Sequence, residues 1–542
     1  MYIMGINGHF YRGNQDSAAA IAQDNVILAA AEEERFTRIK HSRAEMPIEA
    51  MRYCLKAAGL DSLAAVDMLA FPQLTWENLD EILRDFLKFH FGALPKEIVF
   101  LDHHRCHAAS TYYISGFEEA MILTADWSGD GATTTLSIGK GDEMPEISRF
   151  KGLTGSLGAF YGMMTQYLGF RRDADEYKVM GLASYGKPTQ NLSFLLSVEA
   201  GGYTLHEDYL HQGQLAPYPH DYGKTQPVFS ALLEEKLGKA RLTHEPITQY
   251  HKDLAASAQR QLELVALELV KTLRQHTTSK KLCLAGGTAL NCKMNGMLLQ
   301  TDLVDEVYVP PVASDAGLAL GAVLLVGKQC GFSFSLPQAS LGPAYSADDT
   351  RYVLERSGIA YHESPDILDF TAEQLAEGKI IGWFQGGMEY GPRALGNRSI
   401  LADPRRQDMR DTINHRVKFR EDFRPFAPSA LREHAAEFYE YLQDSPFMTV
   451  TFPVKPDQAE RIPATTHVDV TARVQTVAAE NNALYYDLIQ RFYQKTGIPM
   501  VLNTSFNTSW EPIVMSPVHA LGTFFATGLD YLVIDNFVVE KK

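Results

Sequence analysis

Cysteine is scarce and unpaired in this sequence. The 542 residues hold five, Cys54, Cys106, Cys283, Cys292 and Cys330, no two of them spaced Cys-x-x-Cys. That excludes a disulfide framework and a cysteine-based zinc site. Positive charge is short as well: 50 Lys and Arg against 66 Asp and Glu leave a formal net charge of -16. Nucleic-acid binders carry a basic face, so no nucleic-acid partner is expected. No apolar run reaches the roughly 18 residues of a membrane span, and the N-terminus lacks a basic segment followed by a long apolar one. The reading is a cytoplasmic chain with no membrane partner. Its length allows two large domains or about three smaller ones.

Against those absences stands a histidine-rich helix start. The apolar run Ile98-Val99-Phe100-Leu101 reads as a buried strand, and His104 through Tyr113 as the start of a helix. His103 and His107 are four apart and share one helix face, so two imidazoles can grip one metal ion. Ordinary helix-start histidines are the plainer reading. The strand Ala120–Ala125 runs into Asp126 and a Gly-rich turn, where a carboxylate suits metal binding or turn capping equally. Asp315, ahead of an apolar helix, reads as a helix cap or a further ligand.

The N-terminus predicts a β-hairpin whose first turn, from Asn7 to Ser17, holds His9 and Asp16. Such a turn can cradle a phosphate, but a plain hairpin turn is the favoured reading of this piece alone. The alternating charges from Glu32 to His41 read as a solvated face. A Gly- and Lys-containing run around Lys178 reads equally as a close backbone approach to a ligand or as an ordinary glycine-capped helix end, and Gly286-Gly287 followed by Asn291 after a strand permits close backbone approach to a nucleotide. Residues 187–250 are weakly patterned and read as a variable insertion that shapes an acceptor pocket. Residues 331–345 fit a linker. The two strand–turn–strand units and the Gly-Gly unit suggest a duplicated α/β fold around a nucleotide cleft.

Basic residues gather late in this acidic chain. Arg393, Arg398, Arg416, Lys418, Arg420 and Arg424 lie among Gly and Pro turns. Arg forks bind phosphate or carboxylate bidentately and Lys adds a point charge, so a small-anion pocket is expected. Ser505 and Asn507 follow a strand and can close it.

Together these stretches resemble one family. His103-x-x-x-His107, Asp126, Glu176-Tyr177-Lys178-Val179-Met180-Gly181-Leu182, Gly286-Gly287, Asp315, Tyr390-Gly391-Pro392-Arg393-Ala394-Leu395-Gly396-Asn397-Arg398-Ser399 and Phe423-Arg424-Pro425-Phe426-Ala427-Pro428 look like the O-carbamoyltransferases, the family of nodulation protein NodU and of antibiotic-biosynthesis enzymes. The resemblance implies an α/β chain with a duplicated actin/sugar-kinase-like (TsaD-like) domain over 1–340. A YrdC-like α/β domain over 341–542 would follow. It implies that carbamoyl phosphate and ATP, with Mg2+, give carbamoyladenylate in the second domain. The carbamoyl group then moves to a hydroxyl of a small natural-product or sugar acceptor in the first. Fe2+, or another divalent metal, would sit among His103, His107, Asp126 and Asp315. Arg393, Lys418 and Arg424 would act in adenylate formation. With Arg398, Arg420, Ser505 and Asn507 they would hold the donor, and Lys178, Gly286, Gly287 and Asn291 would contact the nucleotide. A homodimer is compatible with this reading.

The sequence departs from the family at the acceptor. Members often carry His before the Asp of the first hairpin, whereas this chain has Gln15-Asp16. Either His9 substitutes as base, with Asp16, or the metal alone activates the hydroxyl. A sugar-kinase-class kinase and a tRNA threonylcarbamoyl-type transferase are the alternatives. The basic C-terminal stretch argues against the first and the net charge against the second. A hydrogenase-maturation carbamoyltransferase would bring Cys-x-x-Cys motifs that this chain lacks.

Overall fold

A computed structural model describes residues 1–10, 16–42, 45–211 and 227–541. The chain forms two compact units: Met1–Leu28 with His41–Ser335, and Ala29–Lys40 with Leu336–Lys542.

The first unit holds two five-stranded sheets of the same design. In one, β1 (Tyr2–Asn7) pairs antiparallel with β2 (Ala18–Gln23), which neighbours β3 (Val26–Glu32). On the other side β1 pairs parallel with β4 (Met68–Phe71), and β4 with β5 (Glu97–Phe100). In the second sheet β6 (Glu119–Gly129), β7 (Ala132–Lys140) and β8 (Glu146–Lys151) run antiparallel. The strand Lys281–Ala285 lies parallel to β6, and Glu306–Tyr308 parallel to it. Both sheets thus run third, second, first, fourth, fifth, the duplicated α/β design expected. Central β1 is apolar and buried on both faces, as a strand covered by helices must be. The apolar helix Gly317–Gln329 packs on β1 and on the helix His103–Tyr112. A Cβ at Gly321 would lie 2.0 Å from the Cys106 carbonyl oxygen, so only glycine lets these two helices meet this closely. Within 187–250, the described part contains the small hairpin Leu196–Glu199/Gly202–Leu205 and the helix Ala231–Leu237.

The second unit is a mixed α/β structure. The eight strands of its main sheet run in the order Tyr361–Glu363, Phe537–Glu540, Tyr531–Ile534, Ile381–Phe384, Arg398–Ala402, Met500–Ser505, Ala427–Leu431 and Gln475–Val477. One face carries an apolar core that includes Phe384, Ile400, Leu502, Phe506 and Ile534.

The charged segment that reads as a solvated face is in fact built into the second unit. The Glu32–Arg35 pair is 2.8 Å long, with side chains only 7% and 3% exposed. Arg35 Nη2 also donates to the Gly391 carbonyl, and Glu32 accepts from the Gly391 N–H at 3.0 Å. Arg38 donates to the carbonyls of Pro512 and Ile513, and Lys40 to that of Ser509. Alternating sign here reflects buried pairing, which periodicity does not reveal. Arg35→Ala leaves Glu32 buried without its partner, so it should cost about 3–5 kcal/mol of stability. Urea denaturation checks this; an unchanged midpoint would show the arm to be dispensable.

Candidate metal and anion sites

Four side chains converge in the first unit. One ligand atom from each of His103, His107, Asp126 and Asp315 lies within 4.8 Å of the others. The helix His103–Tyr112 starts where Asp102 caps it, accepting from the Arg105 N–H at 2.8 Å, and Arg149 braces that cap with a two-pronged ion pair. Asp130 then accepts from the His103 N–H and from Leu74 and Thr75, fixing the first turn of the helix. A Cβ on Gly129 would fall 2.2 Å from the His103 ring, so glycine makes room for the imidazole.

Asp126 lies within β6, not past its end as the sequence suggests. The β6–β7 register shifts between Ala125 and Gly129, and such an irregularity re-aims a side chain. Asp315 does not cap the following helix, whose N-cap Ala316 makes no side-chain bond; it faces the histidines. His107 Nε2 lies 3.0 Å from Asp126 and 3.5 Å from Asp315. His103 Nε2 lies 3.7 Å from each.

Burial opposes charge on both acids, with opposite outcomes. For Asp126 the two imidazoles outweigh it and hold the pKa well below the usual range. For Asp315 burial and the neighbouring Asp126 push it well above. Buried His103 Nε2, His107 Nδ1 and Asp315 Oδ1 make no hydrogen bond. Two mutually repelling carboxylates, the unsatisfied His103 Nε2 and the His107 Nε2 form a donor set short of positive charge. Ligand atoms about 2.1 Å from one tetrahedral cation lie about 3.4 Å apart, close to these separations, so the residues fit a divalent metal.

A third buried histidine, His104, does not join them. Its Nδ1 bonds Thr124 at 2.7 Å. Burial, then the neighbouring histidines, push its pKa down to about 3.

Asp16 sits beside this cluster: its carboxylate also bonds Ser314, next to Asp315. The histidine paired with it is not His9, whose ring lies against Trp76 at 3.9 Å between centroids. It is His41, with Nδ1 2.9 Å from Asp16 Oδ1. Sequence reasoning missed His41 because it ends a charge run; its φ of 69° is visible only in the fold. Gln15 lies outside the described residues.

The expected nucleotide contacts lie on separate elements, two of them linked by Cys292 Sγ 3.7 Å from Met180 Sδ. Gly287 abuts the Asp126 carboxylate. A Cβ on Gly286, whose φ is 88°, would lie 2.3 Å from the Ala125 carbonyl oxygen. Lys178 pairs with Asp175 at 3.2 Å. Asn291 caps the helix Cys292–Leu299 and bonds Gln259.

In the second unit the basic stretch divides. Lys418 is buried, and its ammonium donates to the Ser505 carbonyl and to the Asn507 carbonyl and side-chain oxygens, the latter two at 2.9 and 3.0 Å. Burial, then the positive charges of Arg420, Lys40 and Arg424, push its pKa well down, so these cations lie within electrostatic reach of Lys418. Lys40 is the member that sequence distance concealed. Arg420 bonds Asn414 at 2.7 Å. Arg398 does not join them: its guanidinium lies 3.6 Å over the Phe384 ring and donates to the carbonyls of Pro343, Gln385, Gly386 and Asn397. Arg416 turns to the Gly528 carbonyl. Arg393 is half-buried.

Among the described residues, no helix is long and apolar enough to cross a membrane. The family model described as "Carbamoyltransferase N-terminus" matches residues 2–94 and 87–324, and "Carbamoyltransferase C-terminus" matches 372–541. Nodulation protein NolNO of Sinorhizobium fredii is 39% identical over 97% of this chain and 79% of its own length. An uncharacterized protein of Synechocystis sp. is 37% identical over 100% of this chain and 97% of its own. Nodulation protein NolO of Bradyrhizobium diazoefficiens is 40% identical over 82% and 79%. Matched by both models over most of its length, this chain belongs to the carbamoyltransferases, enzymes that transfer carbamoyl groups.

Proposed function

We propose that this enzyme makes a carbamate ester in two steps. In the second unit, spanning the 341–542 region, carbamoyl phosphate reacts with ATP and Mg2+ to give carbamoyladenylate and pyrophosphate. Arg393, Lys418, Arg420 and Arg424 offset charge that builds on the phosphates, and the Ser505–Asn507 loop, held by Lys418, lines their site. In the first unit the carbamoyl group passes to a hydroxyl of a natural-product or sugar acceptor, and AMP leaves. Gly286-Gly287, Lys178 and Asn291 contact the nucleotide, and the 187–250 region shapes the acceptor pocket. The observation that carries the reading is the four-residue cluster in a chain of this family.

His103, His107, Asp126 and Asp315 would hold Fe2+ or another divalent ion. When bound, it supplies a Lewis acid for negative charge on the carbamoyl oxygen or the leaving phosphate. The protein's part is to fix the donors and keep the site dry.

The test is incubation with carbamoyl phosphate, ATP, Mg2+ and a panel of hydroxylated natural products and sugars, followed by mass spectrometry. AMP, pyrophosphate and a carbamoyl mass increment on one acceptor are expected. Phosphate on the acceptor would replace this reading with a kinase, and modified tRNA with a threonylcarbamoyl-type transferase. Gly129→Ala should displace the His103 ring and lower metal affinity at least about 10-fold, measured by metal titration; unchanged affinity would remove His103 from the ligand set.

A further inference from the structure

We infer that His41, oriented by Asp16, takes the proton from the acceptor hydroxyl. The inference rests on the transfer reaction proposed above. An alcohol is a poor nucleophile until a base within hydrogen-bond reach receives its proton. The four residues of the metal cluster are committed as donors, so the base must come from outside them. Asp16 and His41 are joined twice, through the side chains at 2.9 Å and by the Asp16 N–H donating to the His41 carbonyl at 2.7 Å. Asp16, His41 and Ser42 have φ of 63°, 69° and 35°, a left-handed conformation unusual for residues other than glycine. Such backbone concentrates at functional sites.

The surroundings fit the role. The two side chains are 32% and 22% exposed for His41 and Asp16, so the ring reaches solvent while the pair stays partly enclosed. Asp16 bonds Ser314, whose neighbour Asp315 belongs to the cluster. A carboxylate on Nδ1 fixes the tautomer, makes Nε2 the nitrogen that can take a proton and stabilises the imidazolium that forms.

In the step, the acceptor oxygen bonds the carbamoyl carbon as its proton passes to His41 Nε2. The bond from that carbon to the phosphate oxygen breaks, and AMP departs with the electron pair. The imidazolium, held by Asp16, then releases the proton to solvent. Asp16 is the positioning residue and His41 the catalytic one.

The test uses full-length His41→Gln and Asp16→Asn with the hydroxylated acceptor from the mass-spectrometric screen, and with hydroxylamine. Hydroxylamine attacks through its neutral nitrogen lone pair and loses an N–H proton to solvent only after the C–N bond has formed, so its attack needs no prior proton removal. In His41→Gln, kcat for the alcohol should fall about 10²–10⁴-fold, with KM nearly unchanged. Carbamoylation of hydroxylamine, metal content and acceptor-independent AMP formation should stay near wild type. Asp16→Asn should lower kcat for the alcohol by less. Wild-type transfer to the alcohol in His41→Gln would overturn the inference. So would equal loss with both acceptors, or loss of metal, which mark a structural role. Failure of wild-type protein to make AMP from ATP and carbamoyl phosphate would instead sink the underlying reaction.

Discussion

His107→Ala should lose bound metal and carbamoyl transfer together while still forming AMP and pyrophosphate. His107 contributes the shortest contact in the cluster, 3.0 Å to Asp126, and its side chain is fully buried. Alanine removes one of four donors and leaves two buried carboxylates with one imidazole. Loss of an outer-shell partner of a ligand already costs 10–100-fold in affinity or activity, so loss of a ligand should cost more than about 10². The residues proposed for adenylate formation are in the other compact unit, so that step should persist. Elemental analysis of the purified variant and a pyrophosphate-release assay decide it. Wild-type metal content would refute the ligand set.

Arg424→Ala should do the opposite, stopping AMP and pyrophosphate formation while metal content stays at wild type. Arg424 is one of the cations whose charge acts on Lys418, and its side chain is only 16% exposed. Truncating a buried charge contact costs about 2–5 kcal/mol, which corresponds to a loss of roughly 30-fold to several thousandfold. Arg424→Lys should recover only part, because an ammonium does not reproduce the guanidinium fork. Normal turnover in Arg424→Ala would remove the anion site from the Lys418 region.

The parts of this molecule legible in the sequence are those written in short-range pattern. Strand–turn–strand runs marked both hairpins. The i, i+4 histidines marked one helix face, while Asp126 proved to lie inside its strand and Asp315 to cap nothing. What stayed hidden depends on long-range or conformational facts. Glu32 and Arg35 read as surface charge because their partner Gly391 is 356 residues away. His41 and Asp16 meet through left-handed backbone that residue type does not announce. Arg398 reads as an anion ligand but is held by four carbonyls and an aromatic ring, since a buried guanidinium must satisfy its donors wherever they point. His104, one residue from a ligand, faces Thr124 because neighbouring positions on a helix point about 100° apart.

The Ala29–Lys40 arm has a consequence for how the chain is made. It is synthesised early, yet the groups that receive Arg35, Arg38 and Lys40 lie at Gly391 and between Ser509 and Ile513. At roughly 5–20 residues per second, the ribosome needs tens of seconds to supply them. Throughout that interval Arg35, Arg38 and Lys40 are without the backbone carbonyls they donate to, and Glu32 without the Gly391 N–H. The second unit therefore cannot mature as an independent bead at the end of the chain. A fragment beginning at Leu336 would lack the strap that joins its loops, and supplying residues 29–40 as a separate peptide should restore them.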